Sequence, residues 1–262
     1  MFNLSDTVGS KLRSFLQIRF QPSMDLLVVL VSFFVILAGL YTAWKIDTIA
    51  GAWVPVSMLV LGILVPIAYN SLIKNRPLSE TGISKKYWLG SLVFGFILSV
   101  IFLIAPPSSS FPVTFIAAVK ALTFTELLPL LALEITFGLF WVIFFHGWVQ
   151  MRFERAFGAI PAILVAAAFF ALHHVAFGEP VSLLYIGHFM GGLIHAAIFR
   201  ITRNIFILWP FFIATTGLNY DLGWGLRLPF EAIYGYIGVL ALMWLFIAIV
   251  HWNQKGKSPQ GD

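Results

Sequence analysis

The stretch FWVIFFHGWVQMRFERAFG, Phe140–Gly158, begins as an apolar run of the kind that crosses a membrane. It ends in a charged group formed by Arg152, Glu154 and Arg155. A histidine, His146, lies inside the apolar part, where an ionisable side chain is costly and has either a packing or a functional reason. The stretch therefore predicts a membrane helix that ends at a charged surface.

The composition of the whole chain agrees with this interpretation. The chain has 262 residues, of which 60% are hydrophobic and 10% are charged, whereas a soluble domain carries about 25% charged residues. The absence of cysteine excludes disulfides and thiolate metal sites. The net charge of +5 is explained by membrane topology without a nucleic-acid partner. We predict an all-α, polytopic integral membrane protein whose main partner is the lipid bilayer.

Eight segments are apolar and long enough to be candidates for a membrane crossing, which takes about 20 residues. They are 24–44, 51–73, 88–105, 128–151, 159–174, 182–200, 204–218 and 230–251. Segment 113–126 is predicted to be a short helix at the membrane interface. The sequence thus predicts one transmembrane domain over 24–252, a cytoplasmic lead-in over 1–23 and a cytoplasmic tail over 253–262.

Basic residues cluster on alternate sides of these segments. The basic groups are Lys11, Arg13 and Arg19; Lys74, Arg76, Lys85 and Lys86; Arg152 and Arg155; Arg200 and Arg203; Lys255 and Lys257. The intervening loops contain few basic residues, such as Lys45 and Arg227. By the positive-inside rule, both termini are expected in the cytoplasm, most simply of a bacterial inner membrane. We also expect Arg152, Glu154 and Arg155 to form a solvated cluster, and Trp88 and Trp252 to lie at the interface.

The histidines divide into two predicted layers when their depth is taken from a rise of about 1.5 Å per helical residue. His146 and His195 precede the inner basic groups by one to two turns and form the inner layer. The outer layer consists of His173, His174 and His188. Each histidine has a structural alternative, because a polar side chain in a membrane helix often only bonds a neighbouring helix. Glu134, two turns before Trp141, has the same two interpretations.

The sequence identifies no definite cofactor, and the one candidate is a divalent metal such as zinc. His188 and His195 share a helix face but differ by about 10 Å in height, so they cannot bind one ion. A metal site needs three or four ligands at about 2 Å. It would combine His174 or His173 with His188 and an acid from elsewhere, although no metal-binding spacing of the His-Glu-x-x-His type is present.

Four stretches together resemble the CPBP family, which contains the CAAX prenyl proteases and related bacteriocin-processing membrane proteins. They are RPLSETGISKKYWLGSLVFGFILSV, FFHGWVQMRFERAFG, IPAILVAAAFFALHHV and GHFMGGLIHAAIFRITRNIFILWPFFIATTG. The resemblance covers about 70–218. It implies an eight-span, CAAX-protease-like helical bundle and, in active members, cleavage of a peptide bond within the membrane.

The first family motif, Glu-Glu-x-x-x-Arg, is changed at each defining position. The resemblance places the paired glutamates at Trp141 and Val142, and the arginine at His146. His146 can donate a hydrogen bond but carries no permanent charge. Without either acid, the family's activation of water by a carboxylate cannot operate as described.

The second motif is kept and the third is not. Phe170 and His174 match Phe-x-x-x-His, whereas Phe212 and Thr216 stand where the family has His-x-x-x-Asn or Asp. Of the catalytic set implied by the resemblance, only His174 is therefore present.

Three hypotheses of function follow. The first is a degenerate family member that binds a membrane peptide, a lipid or a partner protein. Its binding residues would be His146, Trp141, His173, His195, Phe170 and Thr216. The second is an active intramembrane endopeptidase in which Glu134, His174 and His188 form a divergent catalytic site for membrane-embedded or lipidated substrates. The third is a metal enzyme with His174 and His188 as ligands, or a transporter, although no inverted repeat is seen.

Overall fold

The computed structural model describes residues 15–46, 56–104, 119–176, 181, 183–213 and 227–257. Within these residues the regular secondary structure is helical throughout. The eight longer helices are α1 Met24–Lys45, α2 Ser57–Ile73, α3 Trp88–Ile104, α4 Phe124–Phe157, α5 Ala159–Ala176, α6 Leu183–Thr202, α7 Ile205–Phe212 and α8 Ala232–Lys257. The all-α fold predicted from the sequence is confirmed.

Four of these helices, α1, α4, α5 and α8, are long and apolar enough to cross a membrane. The apolar helices Ser57–Ile73 and Trp88–Ile101 are shorter. The protein is thus an integral membrane protein, while the count of eight crossings stays a prediction.

Helix α4 forms the centre of the bundle and is longer than the sequence suggested. It has 34 residues, whereas the predicted span was 128–151. At its start, the backbone N–H of Thr123 donates to the carboxylate of Glu126 at 2.8 Å, which is half of a capping box. Within it, Val142–Gln150 is wound as a π-helix, and all of its side chains are buried. The first part of the predicted interface helix, up to residue 118, lies outside the described residues.

Helices α5 and α6 approach closely at small residues of α6. A Cβ atom placed on Gly192 would lie 2.9 Å from the Cα of Ala167, which is closer than packed side chains allow. Ala196, one turn further along α6, is fully buried. The missing side chain of Gly192 therefore permits the close approach of α6 to α5.

Charged side chains meet at one end of the bundle, which we call the charged face. Its described members are Arg19, Asp25, Lys74, Arg76, Glu80, Arg152, Glu154, Arg155, Arg200 and Arg203. Asp25 accepts from Arg76 at 2.5 Å, and Glu80 pairs with Arg155 at 2.7 Å. Glu154 binds Arg203 and lies 3.0 Å from Arg200. These ion pairs connect segments that are far apart in the sequence.

The expectation that Arg152, Glu154 and Arg155 form a solvated cluster is wrong for two of the three residues. Arg152 is 2% exposed and Glu154 is 9% exposed, whereas Arg155 is exposed. The Arg152 guanidinium donates to Asn70 and lies 4.9 Å from the centroid of the Trp148 ring. The reason is that α4 continues to Phe157 inside the bundle, so that charges on its inner face meet partners instead of water.

Candidate functional site

Rings from four helices form what we call the aromatic–histidine cluster. Its members are Trp141 and Phe145 from α4, Phe170, His173 and His174 from α5, His188 from α6 and Phe212 from α7. The aromatic members are buried, while His174 and His188 are half-buried. The cluster includes both of the positions that match the second family motif and the first position of the third.

Trp141 occupies the middle of the cluster and is 3% exposed. The His173 ring meets it edge-on, with ring centroids 3.9 Å apart and an interplanar angle of 84°. Phe145 stacks on it at 4.2 Å, and Phe170 and Phe212 lie at 5.2 and 5.9 Å. The indole therefore fills the space beside the histidines in which the resemblance places a carboxylate.

His174 and His188 stack face to face. Their ring centroids are 3.6 Å apart and their planes differ by 6°. The Trp141 ring is parallel to His174 within 4°, at 6.1 Å. His173 lies 5.4 Å from His174. The outer histidine layer predicted from helical rise is therefore present in the structure.

This arrangement does not fit a metal site. An imidazole binds a metal through a nitrogen lone pair in the plane of its ring, and two parallel planes 3.6 Å apart have no point in common for an ion. Among the residues that the structure describes, no group of three or more His, Asp or Glu side chains is placed to hold a metal. His174 and His188, the predicted ligands, are brought together as a stacked pair.

In the inner layer, two consecutive hydrogen bonds connect α4 to α6. The Nδ1 atom of His146 is 2.9 Å from Oε1 of Gln150, and Nε2 of Gln150 donates to the carbonyl of Ala196 at 2.8 Å. Because the Gln150 atom in this contact is a carbonyl oxygen, which accepts, the Nδ1–H group of His146 is the hydrogen-bond donor. The His195 ring lies 6.3 Å from His146, as expected from their similar heights.

Phe170 links the two histidine layers. Its ring is 5.1 Å from His174 and 6.3 Å from His188 in the outer layer, and 6.2 Å from His195 in the inner layer. The motif phenylalanine therefore separates the layers and contacts both.

One predicted site residue of the described part of the chain, Glu134, is not joined to the cluster by these contacts. Glu134 is 4% exposed and lies two turns before Trp141, which is about 10 Å along the helix axis. The neighbouring Thr136 hydroxyl donates to the carbonyl of Tyr236 at 3.1 Å, so this part of α4 packs against α8. Thr216 lies outside the described residues.

Sequence reasoning missed Phe145 and Gln150, although a signal for both was present. Phe145 is four residues after Trp141, and Gln150 is four residues after His146, so each pair shares one helix face. The π-helical winding did not prevent either contact. A search for i, i+4 partners of each unusual residue would have found them.

The comparisons with known proteins give one family match. The family model described as type II CAAX prenyl endopeptidase Rce1-like matches residues 123–220. No curated protein and no solved structure matches the chain. The matched segment contains α4 to α7 and with them the aromatic–histidine cluster. In this segment the chain is similar to the Rce1-like type II CAAX prenyl endopeptidases.

Proposed function

We propose that this protein is a catalytically degenerate CPBP homologue that holds an apolar membrane ligand without cleaving it. The ligand is a membrane peptide, a lipid or a segment of a partner membrane protein. The observation that carries the proposal is the Trp141 ring, which packs 3.9 Å from His173 and parallel to His174. An indole in this place can neither accept a proton from water nor leave room for that water.

The chemistry of the cluster supports an apolar ligand. Aromatic rings offer large apolar surfaces at fixed geometry, and histidines can donate a hydrogen bond to a carbonyl. The half-buried rings of His174 and His188 form the side of the cluster that a ligand can reach. His146, His195 and Phe170 support this layer from the inner side.

The alternative function is a peptidase with a rebuilt site. The stacked pair of His174 and His188 and the buried Glu134 favour it, because a buried carboxylate and a nearby imidazole are a common acid–base pair. It requires Glu134 to act from about two helical turns away along α4. This distance makes it the second choice.

One crosslinking experiment separates the two functions. A photoreactive benzoylphenylalanine replaces Phe212 in the cluster, and a control replaces Phe94, which is 52% exposed on α3. Adducts formed in native membranes are identified by mass spectrometry in the wild-type, His174→Ala and Glu134→Gln backgrounds. A binder gives the same uncut adduct in all three backgrounds.

A peptidase gives a different pattern. The wild type then yields a shortened adduct or none, and His174→Ala or Glu134→Gln yields the longer precursor. That result would replace the proposal by the alternative. Equal adducts at Phe212 and Phe94 would contradict both the binder and the peptidase, since the cluster would then hold no specific ligand.

We also propose an inner-membrane location with eight crossings and both termini in the cytoplasm. The support is that basic residues from separate predicted inner segments meet on the charged face, where Arg76 and Arg155 both pair with Glu80, and that positive loops remain inside. Because the chain has no cysteine, single cysteines introduced at Ser79 and at Ser108 show directly on which side of the membrane each position lies. Labelling of Ser79→Cys by an impermeant thiol reagent in intact cells would contradict this orientation.

A further inference from the structure

A cavity of about 610 Å³ opens where the end of α8 meets the segment between α2 and α3. This volume lies within the range of about 300–1,000 Å³ typical of small-ligand sites. Its lining residues are Asn75, Arg76, Pro77, Leu78, Ser79, Ile83, Ser84, Lys85, His251, Gln254 and Lys255. They include three permanent cations and no acid. We call it the basic cavity.

The walls of the basic cavity are held together by Gln254. Its Nε2 atom donates to the carbonyl of Arg76 at 2.7 Å, and its Oε1 atom accepts from the backbone of Leu78 at 3.4 Å. These two bonds fasten α8 to the segment that carries Arg76. The cavity is therefore built by the fold and does not depend on the exposed lysine side chains.

The polar groups of the basic cavity suit an anion. Arg76 already pairs with Asp25 at 2.5 Å, whereas Lys85 and Lys255 are exposed and line the cavity together with His251. The Nε2 atom of His251 is buried and has no hydrogen-bond partner among the described residues. Two ammonium groups and one imidazole nitrogen thus surround a space that phosphate oxygens can occupy.

The depth of the basic cavity relative to the membrane indicates which kind of molecule carries the anion. Trp252, next to His251, is 80% exposed, and Tyr87, close to Lys85, is 76% exposed. Exposed tryptophan and tyrosine at the ends of membrane helices lie among lipid headgroups. Basic pockets at this level bind phosphorylated headgroups. We infer that the basic cavity binds the phosphate-bearing headgroup of an anionic phospholipid.

The test uses the full chain in neutral detergent micelles. Native mass spectrometry measures binding of phosphatidylglycerol and of phosphatidylcholine with identical acyl chains. The variant is Lys85→Gln with Lys255→Gln. The matched control is Lys86→Gln, since Lys86 is also exposed but lies over the Tyr87 ring at 5.2 Å and is not part of the lining. Both lysines of the variant are exposed, so the fold should remain intact.

We expect phosphatidylglycerol to bind the wild type and Lys86→Gln more tightly than phosphatidylcholine. In the double variant its affinity should fall by about 30-fold, because each lysine near an anionic headgroup contributes about fivefold. An unchanged affinity in the double variant, or an equal loss in Lys86→Gln, would overturn the site. If inorganic phosphate binds the wild type as tightly as phosphatidylglycerol does, the cavity is a free-anion site and the lipid assignment is wrong.

Discussion

At the scale of single residues, His146 stands where the sequence resemblance places the arginine of the first family motif. Its imidazole donates to Gln150 at 2.9 Å, and the Gln150 side chain in turn donates to the backbone carbonyl of Ala196 on α6. A guanidinium here would be a permanent buried charge beside His195 and the Phe199 ring, which lies 5.8 Å from His146. The histidine keeps the hydrogen-bond donor without that charge, which predicts that it joins helices.

A double-mutant cycle tests this role. His146→Leu leaves the Gln150 oxygen without its donor, so the free energy of unfolding should fall. In the variant with both His146→Leu and Gln150→Leu, the loss should be smaller than the sum of the two single losses, with a coupling of about 0.5–1.5 kcal/mol. The measurement is SDS-driven unfolding in mixed micelles. If the coupling is zero and ligand capture is lost instead, His146 belongs to the site and not to the packing.

The sequence predicted which residues share a depth, but not how their rings face each other. Helical rise alone placed His146 with His195 and His174 with His188. It could not give the stacked geometry of His174 and His188, because the angle between rings depends on helix rotation and rotamers. For the same reason the sequence suggested a metal pair where the structure has parallel rings.

At the scale of helices, the pairing of α5 with α6 depends on the absence of a side chain. The Cα of Ala167 approaches so closely that a Cβ atom at Gly192 would lie 2.9 Å from it. Without a hydrophobic force between helices in lipid, close backbone contact is a main source of stability. This contact also sets the position of His188 on α6 opposite His174 on α5.

Two neighbouring glycines of α6 provide a matched experiment. Gly192→Ala should lower the midpoint of thermal unfolding in detergent, because the new methyl group meets backbone atoms of α5. Gly191→Ala should leave the midpoint unchanged or raise it, since a Cβ atom there has no atom within 4 Å and alanine favours the helix. A loss of the same size in both variants would show that the contact at Ala167 does not determine the pairing.

At the scale of the whole molecule, the charged face joins the ends of α1, α2, α4 and α6. The sequence identified its basic residues from their regular alternation, and it identified the membrane helices from their apolar length. It did not identify the buried part of the face. Arg152 and Arg155 are three residues apart in one charged run, and composition cannot distinguish an inward from an outward position. The structure separates them, because the side chain of Arg152 is 1% exposed and that of Arg155 is 41% exposed.

This difference in burial predicts that replacing arginine by glutamine has unequal effects at positions 152 and 155. Arg152→Gln removes the buried guanidinium that donates to Asn70 and lies 4.0 Å from the Asp25 carboxylate. Asp25 keeps its pair with Arg76, so the loss comes mainly from the buried Asn70 oxygen and should be about 1–3 kcal/mol in the free energy of unfolding. Arg155→Gln removes an exposed pair with Glu80 and should cost at most about 1 kcal/mol. Added salt should reduce the second effect and leave the first, because buried pairs are poorly screened. SDS-driven unfolding of both variants at low and high salt measures this. Equal losses, or a loss in Arg152→Gln that disappears with salt, would mean that the charged face acts through net charge and not through the buried contacts of Arg152.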